Sequence, residues 1–186
     1  RELGSQRGQA AALELRGEFA ASEGRGEAAL GALGEAETMR RALEDPQDLA
    51  EVLLRRAEVL STAGRWAEAR APAVEARAAF GKAGDAVGSV DAAVMPARIA
   101  WRTERLDDAR TLLTQALEDF APLRRGLADP LRRAAWTAAR GAAFRLAVQL
   151  EADAGAEPER VLEWSERSRA LTLVDRLAEG REHPVS

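Results

Sequence analysis

Methyl-sized residues recur in this chain at an interval of 40 residues, and that recurrence limits what it can fold into more than any other feature. Shifted by the interval, Leu13, Leu53 and Ala93 coincide, as do Gly17, Ala57 and Ala97, then Ala20, Leu60 and Ala100. Gly24 and Gly64 coincide with Glu104. Ala29, Ala69 and Ala109 follow, then Leu33, Ala73 and Leu113, and finally Ala36, Ala76 and Ala116. A period of this length marks a repeat architecture, in which each copy is too small to bury its own apolar face and stacks on the next. Within a copy the apolar spacing is three and four residues, which is helical. Each copy thus reads as two helices joined by a tight turn. The small residues sit midway along the first helix and early in the second, where a methyl group lets two backbones approach to the short end of the ~8–10 Å range for packed helices.

The punctuation agrees. Asp45-Pro46-x-Asp48 reads as an N-cap, a proline at the first helical position and an acid in the first turn. Asp129-Pro130 repeats the signal, Glu157-Pro158-Glu159 is a weaker version, and Gly84-Asp85 ends one helix and caps the next. Eight helices are predicted, over about 5–22, 25–43, 47–62, 65–82, 86–103, 105–124, 130–154 and 158–178. Alanine supplies 42 of the 186 residues and β-branched residues are scarce, which excludes an all-β fold. Pro72 and Pro96 fall inside predicted helices, where each costs about 3 kcal/mol, and kinks rather than breaks are expected because the small-residue pattern runs through both.

Composition removes most catalytic chemistry. There is no cysteine and no tyrosine, and the single histidine, His183, lies in the polar tail Glu179–Pro184, where it reads as a linker residue. No cofactor, metal site or catalytic residue is expected, and a catalytic helical domain is the least favoured of three functional classes. Gly24-Arg25-Gly26-Glu27 lacks the strand and the third glycine of a dinucleotide fingerprint and reads as an inter-helix turn. The charge-rich run Glu159, Glu163, Glu166, Arg167 and Arg169 reads as an exposed helix face with i,i+4 pairs such as Glu163 with Arg167. A net charge of -4 with interspersed signs argues against a nucleic-acid partner, and no run of about 18 apolar residues suggests a membrane span. A cytoplasmic location is expected. The start, without an initiator Met or a signal-peptide layout, is expected to belong to a longer chain.

The pattern Leu53-x-x-x-Ala57-x-x-Leu60-x-x-x-Gly64-x-Trp66-x-x-Ala69-x-x-x-Ala73-x-x-Ala76 resembles the tetratricopeptide repeat. The resemblance covers roughly residues 10–178, with departures at Gly26, where an apolar residue is usual, and at Glu104. It implies an all-α, right-handed superhelical solenoid of antiparallel helix pairs, with about four repeats in a domain spanning 5–178. The copies fall at about 10–45, 46–84, 85–125 and 129–178, followed by a polar tail or linker at 179–186. In the fourth unit Val161, Ser165 and Ser168 fall 52 residues after Ala109, Leu113 and Ala116, so its first helix should be longer. Its second helix, with Glu166, Arg169, Ala170, Leu171 or Leu173, Asp175 and Leu177, is similar to the helix preceding the peptidase-like domain of bacterial CHAT proteins.

In the family, a concave groove is read by fixed positions of each first helix. Carried over, these are Ala11, Glu14, Glu18 and Ala21 in copy one, then Glu51, Leu54, Glu58, Ser61 and Thr62 in copy two. Copy three offers Asp91, Val94, Arg98, Trp101 and Arg102. The resemblance thus implies a partner-binding groove whose chief residues are Glu14, Glu18, Glu51, Leu54, Glu58, Arg98, Trp101 and Arg102, acidic at one end and basic at the other. Trp101 reads equally as a partner anchor or as packing between repeats. Trp66, Trp136 and Trp164 read as core. With no Asn and only Lys82, the clamp that grips chaperone tails with paired Asn and Lys is not expected. The function expected is a protein- or peptide-binding sensor array of a CHAT-type protein, with that domain as a partner in cis. The alternative is the sensor region of a bacterial transcriptional or signalling ATPase.

Overall fold

Local rules set the boundaries of the helices. In a computed structural model, which describes residues 2–123, 130–167 and 169, seven helices run over α1 Glu2–Ser22, α2 Gly26–Ala42, α3 Pro46–Thr62, α4 Trp66–Ala83, α5 Ala86–Arg102, α6 Leu106–Leu123 and α7 Pro130–Asp153. An eighth, α8, covers 158–167. Asp45 caps α3, its carboxylate accepting from the Asp48 N–H at 3.4 Å. Asp85 does the same at the start of α5, accepting from the Gly88 N–H at 3.1 Å. Neither Pro72 nor Pro96 breaks its helix; α4 and α5 run through them, and both prolines are buried. The predicted remainder of α8 to residue 178, with Leu171, Leu173, Asp175 and Leu177, lies outside the described residues, as do the tail 179–186 and the Trp136 side chain.

The turns separate the copies chemically. Gly24 and Gly64 hold left-handed φ of 73° and 72°, as a glycine does freely. Glu104, their counterpart, is forced to a φ of 61°. A left-handed L-residue costs about 1–2 kcal/mol, so Glu104→Gly should raise stability by about 0.5–1 kcal/mol after the larger chain entropy of glycine is subtracted. Urea unfolding of both forms measures this.

The helices pair in chain order. Each packs extensively only on helices next to it or next but one, and the odd-numbered helices touch in series: α1 with α3, α3 with α5, α5 with α7. Among α2, α4 and α6 no comparable series is made by the described residues. The odd helices therefore form the tighter, inner layer of a curved stack, and the even helices splay outside it. The core follows this plan as a chain of clusters, one per interface. Leu33, Ala36 and Val52 join α2 to α3; Ala57, Leu60, Ala69, Ala73, Met95 and Ile99 join α3, α4 and α5. The largest cluster joins α5, α6 and α7 through Ala97, Trp101, Leu113, Phe144, Leu146 and Leu150. A string of small cores along the chain, in place of one central core, is the packing of a helical repeat array.

The repeated small residues make these contacts. Ala57, Ala97, Ala29, Ala69 and Ala109 are all fully buried. At Gly17 the approach is closer still: a Cβ there would lie 2.7 Å from Leu33 Cγ. α7 is 24 residues long against 17 for α3 and α5, as the displaced register of the fourth unit required.

Ion pairs stitch the layers. Arg41 of α2 donates to Glu75 of α4 at 2.5 and 2.7 Å and to Glu37 at 2.8 and 3.1 Å. Arg65 reaches back to Glu27 at 2.7 Å. These pairs span the gap between the splayed even helices. Arg110 of α6 grips Glu151 of α7 with two bonds of 2.9 and 2.8 Å, and Glu151 is almost wholly buried. The expected i,i+4 pair of Glu163 with Arg167 does not form. Arg167 lies instead over the Trp164 ring, 5.5 Å from its centroid, because the half-buried indole three residues earlier offers a nearer, partly desolvated face.

Candidate functional site

Two clefts open along the odd helices, and they contain half of the residues that the sequence put on the groove. The first has a volume of about 540 Å3 and lies between α1 and α3. Gly17, Leu33 and Val59 line its apolar part, and Glu18, Ala21, Arg55, Glu58 and Thr62 line its polar part. Gly24 and Gly26 also border it. The seat that Trp66 and Leu106 fill in the later copies is empty at Gly26, so missing side-chain volume accompanies the opening.

The acids of this end are not free. Arg55 donates to Glu18 at 3.2 Å and to Glu58 at 2.9 Å, clamping the two across the cleft. Glu14 is held by Arg40 at 2.6 Å, and Arg40, nearly buried, also pairs with Asp48. The Arg40 guanidinium is held above its ordinary range, chiefly by the hydrogen bond to Glu14. Sequence spacing did not single out Arg40 or Arg55. The packing of α2 and α3 against α1 brings Arg40 to Glu14 and Arg55 to Glu18, whereas Arg55 meets Glu58 three residues along on α3 itself.

Glu51 stays exposed beside Gln47, whose amide lies 3.5 Å away. Partial burial pushes its carboxyl above the ordinary range, and the nearby Asp48, Glu14 and Asp85 add to the rise. Glu75 behaves oppositely: the Arg41 hydrogen bond holds its carboxyl below that range. The signs predict opposite pH effects. A raised carboxyl pKa costs stability above the folded value, and a lowered one adds stability above the unfolded value that is lost as pH falls. At pH 7, Glu51→Gln should raise the melting temperature and Glu75→Gln should lower it, each by about 1 °C for partly exposed groups worth below about 0.5 kcal/mol. The Glu51 difference should fade as pH falls below the ordinary carboxylate range, and the Glu75 difference only at lower pH still, once its arginine-held carboxyl is protonated in the folded chain. Leu54 is half-buried and packs on the clusters of both α3 interfaces.

The second cleft has a volume of about 450 Å3 and lies between α5 and α7, with Trp66 of α4 at one edge. Arg98, Trp101 and Arg102 line it from α5, and Ala142, Arg145, Leu146 and Gln149 from α7. Trp101 is 8% exposed and belongs to the α5–α6–α7 core, so of the two sequence readings the structure places it in packing, with one edge reaching the cleft. Arg102 lies over two indoles, 4.6 Å from the centroid of Trp101 and 5.9 Å from that of Trp66. Trp164, half-buried, packs tilted against Phe144, with an interplanar angle of 57° and centroids 6.2 Å apart. The α7 side of the cleft was missed in the sequence because the fourth unit breaks the 40-residue register. The i,i+4 spacing of Arg145 with Gln149 is the signal that was available.

The arrangement offers charged and aromatic recognition surfaces. No group of three His, Cys, Asp or Glu side chains is gathered for a metal among the described residues, and no helix among them is long and apolar enough to cross a membrane.

No family model matches the sequence, and no curated protein does. Among solved structures the chain is similar to that titled "Crystal structure of BtubC (BKLC) from P. vanneervenii", with a TM-score of 0.64 and 16% identity. The match covers 95% of this chain and 66% of that one. At this identity the likeness is one of fold: the chain is an all-helical array of antiparallel pairs with a helical-repeat relative in structure.

Proposed function

We propose that the chain is a non-enzymatic interaction array that holds a peptide or protein segment along its odd-numbered helices, in the manner of tetratricopeptide repeats. The observation that carries this reading is the inner layer of α1, α3, α5 and α7, opened by two clefts of unlike chemistry. One is walled by carboxylates bridged through a single arginine, the other by arginines and indoles. Such polarity fixes the direction in which an extended segment lies and disfavours the reversed one. The sequence of α8 and the residues just after it, with Glu166 and Arg169, supports a more specific reading as the sensor array of a CHAT-type protein, with α8 coupling the groove to the following domain.

Panning a random-peptide display library on the immobilised chain tests the proposal. A family of enriched peptides should emerge whose binding is weakened by Glu58→Arg or by Arg145→Glu, with the helical spectrum unchanged. A library that enriches nothing, or peptides indifferent to both substitutions, would overturn it. The CHAT reading is tested by the sequence following residue 186 in the full gene. A nucleotide-binding domain there, in place of a peptidase-like one, refutes it.

A further inference from the structure

We infer that the α5–α7 cleft is a docking site for an acidic peptide segment, one bearing two or more carboxylates next to an apolar side chain. This rests on the reading of the odd-helix layer as a recognition surface and adds to it the chemistry of the occupant.

The first observation is charge without a partner. Many arginines elsewhere are committed: Arg40, Arg41, Arg55, Arg56, Arg65 and Arg110 each meet at least one carboxylate within the chain. Among the described residues Arg98, Arg102 and Arg145 meet none, although all three are exposed enough to turn toward one, and no described carboxylate lines the cleft. Three guanidinium groups facing one cleft repel each other, and an entering anion relieves that repulsion.

The second observation is that the cations are ordered by the helices that bear them. Arg98 and Arg102 are four residues apart on α5, hence on one face of it, and Arg145 and Gln149 are four apart on α7. Two donor-bearing stripes thus face each other across the opening. Arg102 lies against the Trp66 and Trp101 rings. Contact with both rings restrains the guanidinium, so less side-chain freedom is lost when its donors take up a carboxylate. Trp66, Leu146 and Ala142 supply the apolar wall that an aliphatic neighbour of the carboxylates would cover.

The surroundings select the class of anion. Further along the same layer stand the carboxylates of Glu14, Asp48, Glu51 and Asp85, and the whole chain carries a charge of -4. An extended polyphosphate backbone would run from the arginines into this acidic stretch and be repelled. A short acidic segment that turns basic or neutral beyond the cleft would not. The three arginines therefore fit a local carboxylate cluster on a peptide, not a nucleic acid.

The test uses the whole chain and the intrinsic fluorescence of its tryptophans. The probe is a capped, tryptophan-free hexapeptide alternating glutamate and leucine, with its glutamine counterpart as control. Inorganic phosphate and a single-stranded oligonucleotide are the rival anions. The glutamate peptide is expected to bind at least about tenfold more tightly than the glutamine peptide and to weaken with rising salt. Arg98→Glu and Arg145→Glu should each weaken it by about tenfold or more. Both residues are exposed, so an unchanged thermal melt confirms the fold. Lys82→Glu, an equal charge reversal at an exposed position near the end of α4 and outside both clefts, should leave this affinity unchanged. Equal binding of the two peptides, indifference to both arginine substitutions, or tighter binding of the oligonucleotide than of the glutamate peptide would overturn the inference. Display peptides that depend on Glu58 while the glutamate peptide fails to bind would sink this inference alone. Failure of every peptide would sink the broader reading with it.

Discussion

Replacing Arg110 with alanine is expected to destabilise the chain by about 3 kcal/mol, the lower end of the cost of stripping a partner from a buried charge. Glu151 is the reason. Its side chain is 2% exposed, and both of its oxygens accept from Arg110, at 2.9 and 2.8 Å. The other cation near it, Arg160, stands 4.0 Å away and is itself more than half exposed, so it cannot replace a bidentate pair. The hydrogen bond to Glu151 is also what chiefly raises the Arg110 guanidinium above its ordinary range. For a chain of this size the loss corresponds to a fall of about 6–12 °C in melting temperature. Replacing both partners together by methionine should recover most of it, because a buried ion pair is often worth little more than well-packed apolar groups. A double-mutant cycle in urea measures the coupling. If Arg110→Ala costs less than about 1 kcal/mol, the α6–α7 contact is not organised around this pair. The effect should concentrate in the C-terminal half, since in an array each unit leans only on its neighbours.

Ala57→Leu is the second large effect, and it examines the principle of the fold. Ala57 is fully buried on α3, within a cluster that includes Ala69 and Ala73 of α4 and Met95 and Ile99 of α5. Three extra carbons have no space there. Either α3 and α4 move apart or the side chains of the cluster leave their rotamers, at about 1–3 kcal/mol. Ala67→Leu, one helix later but exposed, should change stability by less than about 0.5 kcal/mol. Similar unfolding midpoints for the two variants would mean that close helix approach does not depend on methyl-sized side chains. Thermal melts followed by circular dichroism distinguish the outcomes directly.

Much of the architecture was legible because it is local or periodic. Asp45-Pro46 and Gly84-Asp85 mark helix ends by chemistry confined to a few residues, and the helices begin and end where those residues require. The 40-residue recurrence showed which faces pack, and every alanine it singled out on the paired helices is buried. What failed was the detail of partners. Glu163 with Arg167 is a sound surface rule, yet the Trp164 ring took the arginine. Glu14, Glu18 and Glu58 were assigned to an acidic groove from register; the structure gives Glu14 and Glu18 arginines from other helices, and gives Glu58 the Arg55 three residues before it on α3.

The spacing of small residues and caps therefore determined, without coordinates, that this chain is a stack of helix pairs and roughly where each helix lies. Those features act over three, four or forty residues, and the backbone reads them directly. Which charges are spent within the fold and which are left over was decided only by tertiary packing. Ion pairing depends on distances of a few ångströms between helices 20 to 40 residues apart in the chain. Curvature and the length of α7 set those distances: Arg110 closes on Glu151, and Arg98, Arg102 and Arg145 are left facing one another.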